Sequence, residues 1–444
     1  MSTIALPEIP RTTAPERRAR TRDASIDLVR AACLVLVVLL HALMVGVSVD
    51  AAGAPVFENT AEGTAWFVPL SWVMQMMPLF FIVGGFSSIT AFRRHRDSGR
   101  PSAAFVAARM HRLLRPALIA VVTVVAALVI MLACGLPADI VAIAGFRVSQ
   151  PLWFLGVYIL CQALVPVMVR AHENARLLTL VVLAFAVVGV DAATMGSGIP
   201  ALGFANLGFV WLLLQQFGFW LADGSLDRLS RDSRGALGVG ALAALLVVTG
   251  LGVYSPDMYV NLNPPTAALV LLGVAHLAFL SLAQPWLRRC AARPRVGAAM
   301  SAIGTRSMSV YVWHMPVLIG LAGFSVLAST ALAVPLPAPG TPGWWLTRPL
   351  WFMIALLATA LVALAAGRFE NGRPATPSAS TTRVTASAML GAGSVVLLLA
   401  TQFAIPGALI AAALMLVALR LAKNPPSEGH GRYSRVMPST TSRS

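Results

Sequence analysis

Apolar and polar positions along this chain fall into long blocks. Blocks of roughly 20 apolar residues, enough for one helix to cross a bilayer, recur at 27–49, 66–92, 115–134, 152–169, 177–195, 203–222, 236–254, 266–286, 302–333, 345–366, 386–403 and 406–422. The pattern predicts an all-α, polytopic membrane bundle of about twelve helices. No fixed-period repeat stands out, nor any pair of interrupted helices of the kind found in inverted-repeat transporters.

Breaks between blocks set the organisation. Residues 1–25, rich in Arg, Pro and Thr, and 423–444, rich in Ser, Pro and Arg, lack apolar periodicity and read as disordered tails. The stretch GRFENGRPATPSASTTRVT separates ten spans from the rest. The expected layout is therefore a ten-helix domain over 26–367, a linker over 368–385 and a hairpin over 386–422. That hairpin turns at the Ile-Pro-Gly of 405–407, with Gln402 as its one strongly polar group. The outer loops, such as GLPADIVAIAGFRVSQ, are short and partly apolar, so chemistry is expected within the bilayer or at its cytoplasmic face.

A 444-residue chain that is 58% hydrophobic and 11% charged excludes an ordinary soluble domain. The formal charge of +16 would suit nucleic acid, but its location argues otherwise. An alternating path through the twelve spans collects the arginines on one side, which the positive-inside rule makes cytoplasmic. Arg11, Arg17, Arg18, Arg20 and Arg22 precede the first span, a second cluster lies between 93 and 115, and a third between 288 and 306. Asp50, Glu58, Glu62, Asp139 and Asp257 fall opposite, and only Arg147 and Arg348 join them there. Both termini are then cytoplasmic in a multi-pass cell-membrane protein, and no nucleic-acid partner is expected. Cys33, Cys134, Cys161 and Cys290 stand singly, without metal-ligand spacing, as small apolar packing residues.

Ionisable groups inside spans are functional candidates because they are expensive there. In the first span Arg30 and His41 lie eleven residues apart, so at about 100° per residue they fall roughly 20° apart on one face, some 16 Å apart in depth. Asp27 lies one turn before Arg30. The set describes one wall of a pocket open to the cytoplasm, or else an arginine reaching for headgroups and a histidine bonded to a neighbouring helix. Arg109, Arg112 and Arg115 form a ridge before the third span that suits a diphosphate by bidentate hydrogen bonding, or lipid headgroups, with His111 among them. Arg306 opens a later span in which Tyr311 and His314 can bind substrate or relay a proton, or belong with Trp313 to an interfacial aromatic belt. His276, Asp191, Gln162, Gln75 and Gln215 read as polar contacts between helices. His95 and His172 have no metal-like spacing.

These residues resemble the acyltransferase type 3 family of integral membrane acyltransferases. SIDLVRAACLVLVVLLHAL is similar to its first-helix signature of an Arg and a His separated by ten residues, with an Asp three before the Arg. MPLFFIVGGFSS resembles its second-helix segment, with Gly84 where the family has Ser. RMHRLLRP resembles its Arg-x-x-Arg motif, in the Arg109–Arg112 or the Arg112–Arg115 register. PLWFLGVYIL, with Trp153, looks like its Leu-Trp-Phe-Leu helix, and Ser307, Tyr311 and His314 match its late Ser-x-x-x-Tyr-x-x-His segment. The resemblance spans roughly 20 to 370.

The resemblance implies O-acylation. An acyl group, often acetyl, passes from cytoplasmic acyl-coenzyme A, a co-substrate and not a bound cofactor, to a hydroxyl of a carbohydrate, glycolipid or other membrane-associated acceptor. His41 is expected as general base, aided by Arg30 and Asp27. Arg109, Arg112, Arg115, Trp153, Arg306, Tyr311 and His314 are expected to bind substrates, with no metal. The alternatives are a proton-coupled secondary transporter, which buried charges also fit, and an inactive scaffold.

Overall fold

A computed structural model describes residues 23–49, 55–370 and 376–424. The arginines before residue 23, Asp50, and most of both expected tails lie outside the described residues. In chain order the elements are α1 (Ala24–Met44), β1 (Val45–Val49), β2 (Pro55–Asn59), α2 (Phe67–Met74), α3 (Met77–Asp97), α4 (Ser102–Ala133), α5 (Ala138–Ser149), α6 (Trp153–Ser197) and α7 (Asn206–Ala222). They continue with α8 (Arg231–Gly250), α9 (Ala267–Ala291), α10 (Pro294–Thr305), α11 (Ser307–Leu332), α12 (Pro342–Glu370), α13 (Thr381–Ala400) and α14 (Ile405–Leu421).

Ten apolar helical stretches are long enough to cross a membrane. One of these, Ala138–Ser197, holds two crossings, because Ala175 at φ −151° and ψ 57° breaks α6 and reverses the chain. Contacts with α7 fix the reversal: Cys161 and Met168 accept from Gln215 and Gln216, whereas Asp191 is reached by Asn206 at the other end of the same helix. With that division and the 17-residue α14, the described chain makes about twelve crossings in a multi-pass bundle.

Several expected boundaries shift for local reasons. The first span ends at Met44, since the β-branched Val45, Val47 and Val49 continue as a strand paired antiparallel with β2, Val47 opposite Phe57. Gly46 is required there because a Cβ would lie 2.4 Å from Thr60 Cγ2. The second span divides at Gln75 and Met76, with Pro78 in the first turn of α3. The loop expected over GLPADIVAIAGFRVSQ is largely the helix α5. The last hairpin turns earlier than expected, at Gln402 and Phe403, both at positive φ, because Pro406 starts α14 and does not form the turn.

The tightest packing joins α3 and α7. A Cβ on Gly85 would lie 2.3 Å from the Gln215 carbonyl oxygen, and one on Gly218 would lie 2.0 Å from that of Ile82. Paired glycines thus let two backbones touch, the usual device for membrane helices that gain nothing from hiding apolar surface. Beside the contact, Phe81 stacks on Trp211 with centroids 4.5 Å apart. The α13–α14 hairpin packs on α4 and α6, with Gly391 against Leu114 and Gly156 against Val395.

Polar anchors fix the helix ends. Near one face, Asp191 accepts from Asn206 Nδ2 at 2.8 Å, Tyr254 Oη at 2.7 Å and the Ala267 amide at 2.8 Å. At the opposite, arginine-rich face, Asp223 accepts from Arg93 and from His172 Nε2, while Glu173 accepts from Arg93 and Arg96. Asp23 caps α1 through the Ser25 amide and bonds Arg288 of α9 at 2.7 Å. Burial raises the Asp223 carboxyl, but hydrogen bonds from His172 and Arg93 outweigh it and hold the group well below its ordinary 3.8.

Two outcomes follow. Gly218→Ala must force α3 and α7 apart and is expected to destabilise the protein by about 1–3 kcal/mol, read as a lower melting temperature in detergent. A carboxyl depressed by folding contributes stability that is complete above its unfolded pKa and is lost as pH falls through the lower, folded one. Asp223→Asn should therefore lower the melting temperature near pH 7, with the difference from the native chain shrinking as pH falls below about 3.8.

Candidate functional site

Arg30, Leu34, Val37 and His41 recur at steps of four, three and four residues, which keeps them on one face of α1. That face lines a cavity of about 140 Å³ at the centre of the bundle. Around the cavity, α4 supplies Arg109 and Arg112, α3 supplies Ser87 and Ser88, and α6 supplies Trp153, Tyr158 and Gln162. Ser307 and Tyr311 of α11 and Tyr259 of the α8–α9 loop complete it.

The mouth is cationic. Arg30 Nη2 lies 3.1 Å from Asp27 Oδ1, one turn earlier, and the Arg109 guanidinium sits 4.9 Å above the Phe105 ring. Three guanidiniums thus share one opening with only Asp27 paired to one of them by a described ion pair. Farther in, Gln162 Nε2 donates to Ser88 Oγ at 3.0 Å, satisfying two buried polar groups on the wall.

His41 lies at the inner end. Its Nδ1 is 2.8 Å from the Val37 carbonyl oxygen. A carbonyl only accepts, so Nδ1 carries the proton and the neutral ring keeps a lone pair on Nε2. His314 packs against His41 with centroids 4.9 Å apart and rings tilted by 57°. Its own Nδ1 is 2.5 Å from the Tyr311 carbonyl oxygen, and its Nε2 has no hydrogen-bond partner among the described residues. His314 is 1% exposed and lines neither this cavity nor the next.

Helix α11 is pinned from two sides. Tyr311 Oη donates to the Pro151 carbonyl at 2.8 Å, and Glu370 accepts from Trp313 Nε1 at 3.1 Å and from Ser309 Oγ. These bonds set the height of His314 against His41.

A second cavity, of about 180 Å³, lies on the other side of the imidazole. Glu58 and Asn59 of β2, Arg147 of α5 and Gln150 line it, and Arg147 Nη2 donates to the Phe57 carbonyl at 3.2 Å. His41, Pro151, Trp153, Tyr259 and Leu262 line both cavities.

The structure thus brings together Arg30, Asp27, His41, Arg109, Arg112, Trp153 and Tyr311. Three expected residues stand apart. Arg115 donates to the Phe369 carbonyl at 2.9 Å, which selects the Arg109–Arg112 register for the cavity. Arg306 sits at the α10–α11 junction bonded to Thr305 Oγ1 and does not line the cavity, although Ser307 beside it does. His314 touches His41 from behind. Sequence reasoning missed Tyr259 and Glu370, whose positions depend on distant elements. Arg147 carried a signal as one of two arginines on the wrong side for topology.

Comparison with known proteins adds a family. The model of the acyltransferase 3 family, described as an acyltransferase domain, matches residues 23–368, well over half of the chain. No curated protein and no solved structure matches. The chain belongs to the acyltransferase 3 family and is an integral membrane O-acyltransferase. The matched region contains both cavities' linings and stops before Glu370 and the α13–α14 hairpin.

Glu370→Ala strands the Trp313 indole and the Ser309 hydroxyl in a buried place. It is expected to cost about 1–3 kcal/mol, measured by thermal unfolding, with Glu370→Gln losing less because it keeps an acceptor.

Proposed function

Taking that membership as the premise, we propose that the protein transfers an acyl group, most simply acetyl, from acyl-coenzyme A to a hydroxyl of a carbohydrate or lipid-linked acceptor. The observation that carries this reading is one cavity lined by Arg30, Arg109 and Arg112 and by a histidine whose Nε2 has no hydrogen-bond partner among the described residues. The family match favours acyl transfer over the proton-coupled carrier.

The arginine-rich face is cytoplasmic by the positive-inside rule, which puts both termini inside a cell-membrane protein. Arg109, Arg112 and Arg30 hold the donor's phosphates at the mouth, where several N–H groups can engage each phosphate. Asp27 orients Arg30. The narrow pantetheine arm reaches inward past Tyr158 and Tyr311, which brings the thioester near His41.

His41 Nε2 takes the proton of the acceptor hydroxyl as its oxygen bonds to the acyl carbonyl carbon. The carbon–sulfur bond then breaks, and the imidazolium returns the proton to the departing thiolate. No electrons are exchanged. The Val37 carbonyl holds the tautomer and stabilises the charged ring.

Membranes containing the protein should release free thiol from acetyl-coenzyme A when an acceptor is supplied. His41→Ala is expected to lower that rate by about 10²–10⁴-fold. Unchanged release by the variant sinks the assignment. Arg109→Ala should raise the donor KM by roughly 10- to 100-fold, the loss of a charge-assisted hydrogen bond, with the acceptor KM unaffected.

A further inference from the structure

The α13–α14 hairpin lies outside the matched family region and packs on α4, the helix that carries two arginines of the mouth. Close contacts fix how it sits. A Cβ on Gly391 would lie 3.0 Å from Leu114 Cδ1, and one turn earlier on α13 Ser387 Oγ donates to the Ala418 carbonyl of α14 at 2.7 Å. Because α12 ends beside Arg115, α13 begins and α14 ends on the arginine-rich side.

The base of the hairpin holds one cation in place. Arg383 Nη2 donates to the Arg420 carbonyl at 3.3 Å and to the Lys423 carbonyl at 3.2 Å, satisfying acceptors that the end of α14 leaves open. The Ser378 amide donates to the Ala422 carbonyl at 2.9 Å, and the Asn424 amide to the Thr376 carbonyl at 3.0 Å. Lys423 stands between these ties with its side chain exposed.

That cation joins the surface of the mouth. At about 100° per residue, Arg109, Arg112, Arg115 and His111 fan in that order over roughly 160° of α4. The first two line the cavity, while His111, at the far edge of the fan, has Lys423 and Arg115 as charged neighbours. Arg115 donates one N–H to the Phe369 carbonyl and keeps others for a ligand. Among the described residues no carboxylate forms an ion pair with Arg112, Arg115 or Lys423. Cations gathered without a counter-charge favour an anionic occupant.

Coenzyme A carries a diphosphate next to the pantetheine arm and a separate phosphate on the ribose 3′ oxygen. When the arm enters the cavity, the diphosphate stays at the mouth and the 3′-phosphate falls outside it. A phosphate monoester carries about −1.5 to −2 near neutral pH, whereas a headgroup diester carries a single charge. An ammonium, a guanidinium and an imidazole on one exposed surface suit the more highly charged group.

We propose that Lys423, together with Arg115 and His111, forms a separate subsite for the donor's 3′-phosphate, so that the hairpin reads the nucleotide end of acyl-coenzyme A while Arg30, Arg109 and Arg112 read its diphosphate. The inference rests on the donor named above and identifies what distinguishes it from thioesters on a pantetheine arm that lacks the 3′-phosphate.

Calorimetric titration of the purified full chain with coenzyme A and with 3′-dephospho-coenzyme A tests this. The native protein is expected to bind the dephospho form about 10- to 100-fold more weakly, the loss of a charge-assisted hydrogen bond. Lys423→Ala should weaken coenzyme A about tenfold and leave dephospho-coenzyme A unchanged, which also shows that the variant is folded. Lys423→Arg should restore most of the preference. Arg109→Ala should weaken both ligands in parallel, since both carry the diphosphate. Arg231→Ala, at an exposed position outside both cavities, should alter neither. Equal affinity of the native protein for the two ligands overturns the proposal and leaves these cations to headgroup phosphates. A preference that Lys423→Ala leaves intact overturns the hairpin's part in it. Binding of neither ligand fails the parent reading of the donor and this one with it.

Discussion

One hydrogen bond organises the centre of this molecule: the Nδ1–H of His41 donated to the Val37 carbonyl one turn back on α1. Within a bilayer a buried polar group is stabilised by a protein partner, and several in this bundle have one. Asp191 accepts three hydrogen bonds, Gln162 meets Ser88, and Glu370 meets Trp313 and Ser309. Among the described residues His41 is tied at one ring nitrogen only, which fixes its tautomer and leaves the other nitrogen for a cavity.

That arrangement depends on rigid surroundings. The glycine contact between α3 and α7 holds two backbones against each other with no side chain between them, and it positions the wall carrying Ser87 and Ser88. On the far side α11 is fixed in height by Tyr311 at Pro151 and by Glu370 at Trp313, which keeps His314 behind His41. The Asp223 cluster fastens the arginine-rich end of α3 to the reversal in α6 and to α7. Packing sets the distances between helices, and polar anchors set their heights.

What could be read from the sequence was what one helix determines alone. Arg30 and His41 share a face because the helical period requires it, and the arginines sort to one side because their charge orients the chain. Each crossing was visible as an apolar block, even the two joined without a loop at Ala175. Residues defined by encounters between distant segments were not visible. Tyr259 reaches both cavities from an irregular loop, and Glu370 acts on residues some sixty positions earlier. Arg115 and Arg109 look alike in sequence, and only the arrival of the α12 terminus at Phe369 draws Arg115 aside. The β1–β2 hairpin was hidden because its valines also suit a helix in lipid.

His41 lines both cavities, and the walls they share have a chemical consequence. Pro151, Trp153, Tyr259 and Leu262 are walls of both, so the passage between them is lined by bulky, mostly apolar groups with the imidazole among them. A wide aqueous path would leak ions and let water compete for the acyl group. In the acyl transfer proposed above, bulky apolar walls around the imidazole would keep water from the thioester while the arginines hold the donor's phosphates at the mouth. Fixing the imidazole to its own helix, and not to a mobile loop, keeps Nε2 at that boundary throughout. In the proposed reaction, the nitrogen that takes the proton is therefore placed by a helix of the bundle, with the arginines of the mouth on the same cavity.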